Sequence, residues 1–490
     1  MKQLFLTAIV TMIFLLNAGA QTWNCGYPNE TDVTATIIND TLVVSGIGNM
    51  KSFEYNQSAP WRYNNFKVLK IQEGVTSIGS RSFQYCYKIE KVSIANSVVA
   101  IGESAFESSF EYSANLSVAI PKNVETIGLY AFLQADVFGF LVDEENPSYS
   151  SIDGIIYNKA KTNLHISPHR KSGTVIIPNT VTKIEEYAFA YSPFLSEAIL
   201  GNNVEYIGES AFVSNTALTS ITFPGSLKTI DRDAFSHCLA LRYVTFGGNI
   251  TSLGRNVFEK TAWLNNRPDG AIYVDKVLCK YKSSQSNVNL EIQEGTVSIA
   301  PYALENSTGL NSVVIPNSVT TIGECAFMGC DGLRTVSIGN KTAKIGDYAF
   351  WHCNSLVSVT CLNKTPPQAA PTYNHQYVFR DVNLSNVKLY VPAESIETYR
   401  TADIWKMFGL IEAASASSVN TPNSLPLVIY PTVTTGTVFI ENPTKSVITV
   451  HNNSGVLLIS STEESIDLYQ YPQGVYFVKI KNYTQKIIKK

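Results

Sequence analysis

From residue 66 onward the apolar positions recur in one fixed order. A short alternating run ends at Pro or Gly, as in Leu218-Thr219-Ser220-Ile221-Thr222-Phe223-Pro224 and Leu310-Asn311-Ser312-Val313-Val314-Ile315-Pro316. Period-two alternation of this length predicts a strand with one buried face. The Pro-Asn or Gly-Asn pairs that follow (Pro178-Asn179, Gly201-Asn202, Pro316-Asn317, Gly339-Asn340) predict a sharp turn, in which Asn hydrogen-bonds its own backbone. A Val-x-x-Ile piece then predicts a second short extended segment, and Gly-Glu-x-Ala-Phe a brief helical turn. Acidic residues at its start (Glu103, Glu186, Glu209, Glu324, Asp347) suit a helix N-terminus and read as local stabilisers.

The order repeats. Val98 to Phe106 recurs as Val204 to Phe212 and Val319 to Phe327, and in looser form ending at Phe83, Phe132, Phe189, Phe235, Phe258, Leu304 and Phe350. The spacing of these ten terminal residues is 23 residues except for steps of 26, 57 and 46. A period in the low twenties lies in the leucine-rich-repeat range and predicts a solenoid of short parallel strands with short helical turns. One such unit buries too few side chains to offset the entropy of ordering its backbone, so neighbours must stack and the two ends need caps.

Residues 21–65 read as an N-terminal β cap, with Val33 to Ile37 and Thr41 to Ile47 around a turn at Asn39-Asp40, ahead of Trp61 and Phe66. The solenoid spans 66–362. Two stretches near 140–172 and 265–290 resemble each other (Ser151-Ile152-Asp153-Gly154-Ile155-Ile156-Tyr157 and Arg267-Pro268-Asp269-Gly270-Ala271-Ile272-Tyr273). Asp-Gly before β-formers predicts hairpins, inserted and projecting from the solenoid edge. Residues 363–412 read as the C-terminal cap, opened by Thr365-Pro366-Pro367 and containing the strand Val387 to Pro392 and the aromatic segment Tyr399 to Phe408. Residues 413–424 have the composition of a linker, and 425–490 form a separate β-domain.

Two resemblances sharpen this reading. The Ile-Gly-x-x-Ala-Phe-x-x-Cys units, the Asp-Gly-x-x-Tyr segments and Leu389-Tyr390-Val391-Pro392 with Trp405 and Phe408 resemble the BspA-like leucine-rich-repeat family of bacterial surface proteins. The resemblance implies a secreted or surface binding protein, with host matrix proteins or other bacterial surfaces as the class of partner. In the tail, Val428-Ile429-Tyr430-Pro431, Thr435-Gly436, Ile448-Thr449-Val450, Ser454-Gly455, Tyr471-Pro472-Gln473-Gly474-Val475-Tyr476-Phe477-Val478 and Lys486 to Lys490 resemble the type A sorting domain of the type IX secretion system. Pro431-Thr432-Val433 departs from the usual Asn-Pro at that turn. That likeness implies a small Ig-like β-sandwich, handled by the type IX machinery and directed to the cell surface or medium.

The chain's start agrees with export. Lys2, the apolar run Leu4 to Leu16 and Ala18-Gly19-Ala20 read as a signal peptide over 1–20, cleaved before Gln21. No later run is long and apolar enough for a transmembrane segment. A net charge of -3 supplies no basic surface for a phosphate backbone, so nucleic acid is not an expected partner.

Candidate chemistry is sparse. Cys86, Cys238, Cys330 and Cys353 all stand three residues after the repeat aromatic, which assigns them a packing role, and Cys361 falls on an inward strand position. Cys25, Cys279 and Cys325 share no slot, and their pairing is open. His237 and His352 follow the scaffold. His165 and His169 have a metal-like spacing, but Pro168 lies between them and two ligands make no site. The acidic run Asp143-Glu144-Glu145 lacks a calcium-loop pattern. No nucleophile elbow, phosphate loop or dinucleotide fingerprint occurs, so the expectation is no enzyme, no metal and no cofactor.

A solenoid usually binds on its concave sheet. The outward positions there read as Ser/Thr-rich (Lys91/Ser93, Ser220/Thr222, Tyr243/Thr245, Ser312/Val314, Thr335/Ser337, Ser358/Thr360), interrupted by Tyr243 beside Arg242. These two are the candidate binding residues, because aromatic and Arg side chains often dominate interfaces. The leading expectation is a non-enzymatic adhesion or protein-binding molecule. The alternatives are a structural surface-layer component without a foreign ligand and a hydrolase with an unrecognised site.

Overall fold

The computed structural model describes residues 21–369 apart from 112 and 114, residues 377–414, and within 428–490 all but 431, 432, 435, 442–446, 464, 481 and 482. The signal segment at 1–20, linker residues 415–424 and the Pro431-Thr432 departure lie outside the described residues.

Each repeat closes one turn of a β-solenoid. The alternating run is a strand that pairs in parallel with its counterpart one turn on: in Ser220–Thr222 and Tyr243–Thr245, Ile221 faces Val244 and Thr222 faces Thr245. The Val-x-x-Ile piece ends in a two-residue strand, and Tyr206–Ile207 pairs in parallel with Thr229–Ile230. Two parallel sheets therefore follow the stack, and both are broken into segments at the 57- and 46-residue steps.

The third side differs from the expected helical turn. In the described repeats the residues two before and two after the aromatic adopt positive φ, as in Ser210 (52°) and Ser214 (59°) around Phe212. The N–H groups of Ser210, Phe212 and Ser214 donate to the carbonyls of Arg232, Ala234 and Ser236 in the next turn, at 2.8, 2.8 and 2.9 Å. A helix would have turned those donors inward on its own carbonyls. Lateral bonding between turns requires the left-handed kinks and offsets their cost of about 1–2 kcal/mol per residue. The acidic residues consequently sit at no helix N-terminus. Two of them pair across turns instead, Glu103 with Arg81 and Glu209 with Arg232. Asn also acts across turns rather than on its own backbone: Asn179 Oδ1 accepts from the Asn202 N–H at 2.8 Å.

Turn-to-turn approach explains the repeated Ile-Gly. A Cβ on Gly208 would sit 2.7 Å from the Glu186 backbone nitrogen. Inside the stack the aromatics form a ladder: Phe189, Phe212 and Phe235 are nearly parallel, with centroids 4.8 and 5.0 Å apart.

At the N-terminal end, Val33–Ile38 and Thr41–Gly46 form a hairpin whose second strand pairs in parallel with Val68–Ile71. Trp61 is fully buried over Phe83 and donates its indole N–H to the Ser82 carbonyl at 2.9 Å. At the other end the strand Leu410–Ala413 extends the sheet beyond Lys388–Val391. There Trp405 and Phe408 pack edge-on against Phe379, the last rung.

The two look-alike segments enter the solenoid rather than projecting from it. In the second, the reversal falls between Gly270–Val274 and Val277–Lys282, at Asp275-Lys276 and not at Asp269-Gly270. The returning strand then joins the short-strand sheet in parallel. Tyr281, midway between Phe258 and Leu304, bonds its N–H to the Ala303 carbonyl as a repeat aromatic would, so the 46-residue step holds two turns of 23 residues, the first of them carrying the antiparallel pair. In the first, Tyr149–Ile152 and Ile155–Asn158 do reverse at Asp153-Gly154, and Asn163–Ile166 is the strand that joins the sheet.

Residues 428–490 form a separate β unit. One sheet holds Val428–Tyr430, Thr437–Glu441 and Ser465–Asp467; the other holds Val433–Thr434, Ile448–Asn452, Leu457–Ser461, Gly474–Ile480 and Tyr483–Lys489. Their core includes Val438, Ile448, Val450, Ile466, Val478 and Ile487.

Candidate functional site

The outward face of the long-strand sheet is built from alternate residues of successive turns. Tyr243 opens the strand Tyr243–Thr245 and is 71% exposed. Arg242 is exposed too, directly after buried Leu241, with its N–H held by the Thr219 carbonyl at 3.0 Å. The two candidate residues are thus adjacent on the surface, one in the strand and one just before it.

The register of the sheet extends this site. Tyr243 lies in a row with Ser220, Glu197 and Thr174; the next row is Thr245, Thr222, Ile199 and Ile176. Ile176 is 71% exposed and Ile199 46%. An apolar column therefore lies one row from Tyr243, on strands left out of the Ser/Thr reading. The signal was present in Thr174-Val175-Ile176-Ile177-Pro178, where apolar residues occupy both the inward and the outward phase. Glu197, accepting from Thr174 Oγ1 at 3.0 Å, supplies the charge in this patch.

The cysteines are scaffold. Cys238, Cys330 and Cys353 each direct the thiol at the carbonyl of the repeat residue one turn back (Phe212, Leu304 and Phe327) at 3.0, 3.1 and 3.2 Å. Asn215, in the same slot, does likewise to the Phe189 carbonyl at 2.9 Å. In these four turns the slot holds a buried donor, whereas Cys86 and Ala135 fill it in the turns of Phe83 and Phe132 by burial alone. Burial pushes the Cys238 and Cys330 thiols up to about 12. All eight cysteines are free thiols, including Cys25, Cys279 and Cys325. Cys361 is buried as expected and accepts a hydrogen bond from the Tyr399 hydroxyl at 3.2 Å.

His237 and His352 both occupy the positive-φ position two residues after the aromatic. Among the described residues no three His, Cys, Asp or Glu side chains converge as a metal site, and no helix is long and apolar enough to cross a membrane.

Comparison with known proteins places these features. The pattern of the BspA type leucine-rich repeat region matches residues 56–142, 169–265 and 279–402 in six copies, well over half of the chain. The secretion system C-terminal sorting domain matches residues 428–490. No curated protein matches the chain. Among solved structures, a leucine-rich repeat protein from Eubacterium ventriosum is similar at 22% identity over 69% of this chain and 90% of that one, with a TM-score of 0.37. A leucine-rich cell surface protein from Faecalibacterium prausnitzii is 26% identical over 56% of this chain and 59% of its own, with a TM-score of 0.35. A leucine-rich repeat protein from Bacteroides ovatus is 20% identical over 80% of this chain and 99% of its own, with a TM-score of 0.31.

Proposed function

Because the chain belongs to the BspA-type leucine-rich-repeat family and ends in a type IX sorting domain, we propose that it is a non-enzymatic protein, exported through a Sec signal peptide and the type IX system, that binds a protein partner at the cell surface or in the medium. The observation that carries the binding assignment is the exposed set Tyr243, Ile199 and Ile176 on adjoining rows of one sheet face, with Arg242 at its edge. An aromatic, two branched aliphatics and a guanidinium on a rigid parallel sheet make a preorganised contact surface, where little backbone entropy is lost on binding. The host matrix or another bacterial surface is the class of partner to test, and the tail acts as the Ig-like sandwich that the export machinery recognises.

The test is binding of the secreted full chain to immobilised matrix and bacterial-surface proteins, compared with Arg242→Ala/Tyr243→Ala and with Ile176→Ser/Ile199→Ser. Loss of binding in both variants supports the site. Equal binding by both would move it elsewhere, and self-association without any foreign ligand would favour the surface-layer role.

A further inference from the structure

Among the described turns the ladder has one missing rung. In the first look-alike segment, Ser167 N–H donates to the Ala188 carbonyl at 2.7 Å, the bond that Phe189 makes to Ala211 one turn on and that Tyr281 makes to Ala303 in the second segment. Leu164 and Leu278 hold equivalent places in the short-strand sheet, each three residues before that donor. Ser167 therefore occupies the slot of a repeat aromatic. Where Tyr281 fills its slot, a cavity of only about 20 Å³ remains beside Phe258. Beside Ser167 the cavity is about 230 Å³, between the turns of Phe132 and Tyr187.

Its lining is of mixed chemistry. Leu129, Phe132 and Leu133 are apolar, and Tyr130 and Tyr187 meet edge to face at 4.7 Å along the wall. Three lining side chains have a buried polar atom with no hydrogen-bond partner among the described protein atoms: His165 Nε2, Ser167 Oγ and His169 Nδ1. Ser167 is only 8% exposed. Burial lowers the pKa of His169, which leaves its imidazole neutral at pH 7. The Glu185 carboxylate can only accept, so the His165 Nδ1–H donates to it at 2.5 Å and Nε2 is turned away from that bond. Burial works against that carboxylate, but the hydrogen bond and charge of His165 and the amide of Asn163 outweigh it and hold its pKa below the ordinary range.

We propose that this missing rung is a binding site for one pyranose ring, whether a free sugar or the end of a glycan. The cavity has room for several waters, but the wall formed by the Leu129, Phe132 and Leu133 side chains offers them no hydrogen bond. A pyranose offers an apolar C–H face to the Tyr130–Tyr187 wall and several hydroxyls able to meet two imidazole nitrogens and a serine hydroxyl. The site is independent of the Tyr243 face, so either assignment can fail without the other.

The experiment is saturation-transfer NMR on the secreted full chain with methyl glycosides of glucose, galactose, mannose and N-acetylglucosamine. Their disaccharides form a second arm that separates a free sugar from a glycan end, and alkylammonium ions a third. At least one sugar should bind with a dissociation constant on the order of 1 mM. Ser167→Phe, which restores the rung, should abolish that signal without lowering the melting temperature. Ser167→Ala, which should fold as the parent does, should weaken binding about tenfold by removing one hydrogen-bonding group. A sugar signal that survives unchanged in both variants, binding of alkylammonium ions in place of sugars, or no binding by any sugar would overturn the proposal.

Discussion

Arg170 grips Asp136 across the seam of the first look-alike segment, its Nε and one terminal nitrogen each meeting one carboxylate oxygen. The guanidinium also lies over the Phe194 ring at 5.2 Å, while Asp136 is 6% exposed. The apolar core divides into two clusters at this seam, so the pair carries a share of the connection that rungs supply elsewhere.

Removing the fork should therefore cost more than a surface pair does. Arg170→Met should destabilise the solenoid by roughly 2–3 kcal/mol, toward the low end for a buried pair because a third of the arginine remains exposed. Adding Asp136→Asn should recover part of the loss. Denaturant midpoints of the single and double variants measure it, and equal stability of Arg170→Met and wild type would reduce the pair to decoration.

Phe212 has a parallel ring on each side and no exposed surface. Phe212→Ala should leave a void that the stiff neighbouring turns cannot close, at a cost of about 3–5 kcal/mol. An unchanged unfolding midpoint would contradict the ladder as the main source of stacking energy.

Cys238 is a buried donor, so Cys238→Ala should cost about 1 kcal/mol and the loss should not depend on reductant. With its thiol pushed up to about 12 by burial, native Cys238 carries almost no thiolate at pH 8 and should resist alkylation until the chain unfolds. Rapid labelling of the folded protein, read by mass spectrometry, would show the slot to be open.

Deleting residues 425–490 should leave the solenoid folded, because among the described residues its two core clusters share no side chain with the core of the tail. The truncated protein should accumulate in the periplasm. Its appearance on the cell surface in fractionation experiments would argue that export does not depend on the sorting domain.

The repeat, its two extended pieces and the buried Cys slot were legible in the sequence because each is a local pattern repeated at 23 residues. The non-helical third side was not. Gly208-Glu209-Ser210-Ala211-Phe212 has helix-compatible composition, and only the next turn's carbonyls select the kinked form at Ser210. The regular spacing of Phe258, Tyr281 and Leu304 was visible in the numbering, but Tyr281 lacks the preceding Ala that marks most other copies. Ser167 was harder still. A serine between isoleucine and proline carries no sign that it replaces an aromatic, which emerges from its bond to Ala188. On the sheet face Arg242 and Tyr243 stood out by type, whereas Ile176 and Ile199 gain meaning from the register that aligns them.

The ladder bonds all run one way, from an N–H in one turn to a carbonyl in the next. Nothing in a turn of this kind counts how many turns precede it, so the pattern alone describes a filament of indefinite length with a head and a tail. Trp61 over Phe83 and Trp405 over Phe379 act as its terminators. The molecule's length is set by where these two plugs fall, and a chain stripped of either would present a ready template for end-to-end polymerisation.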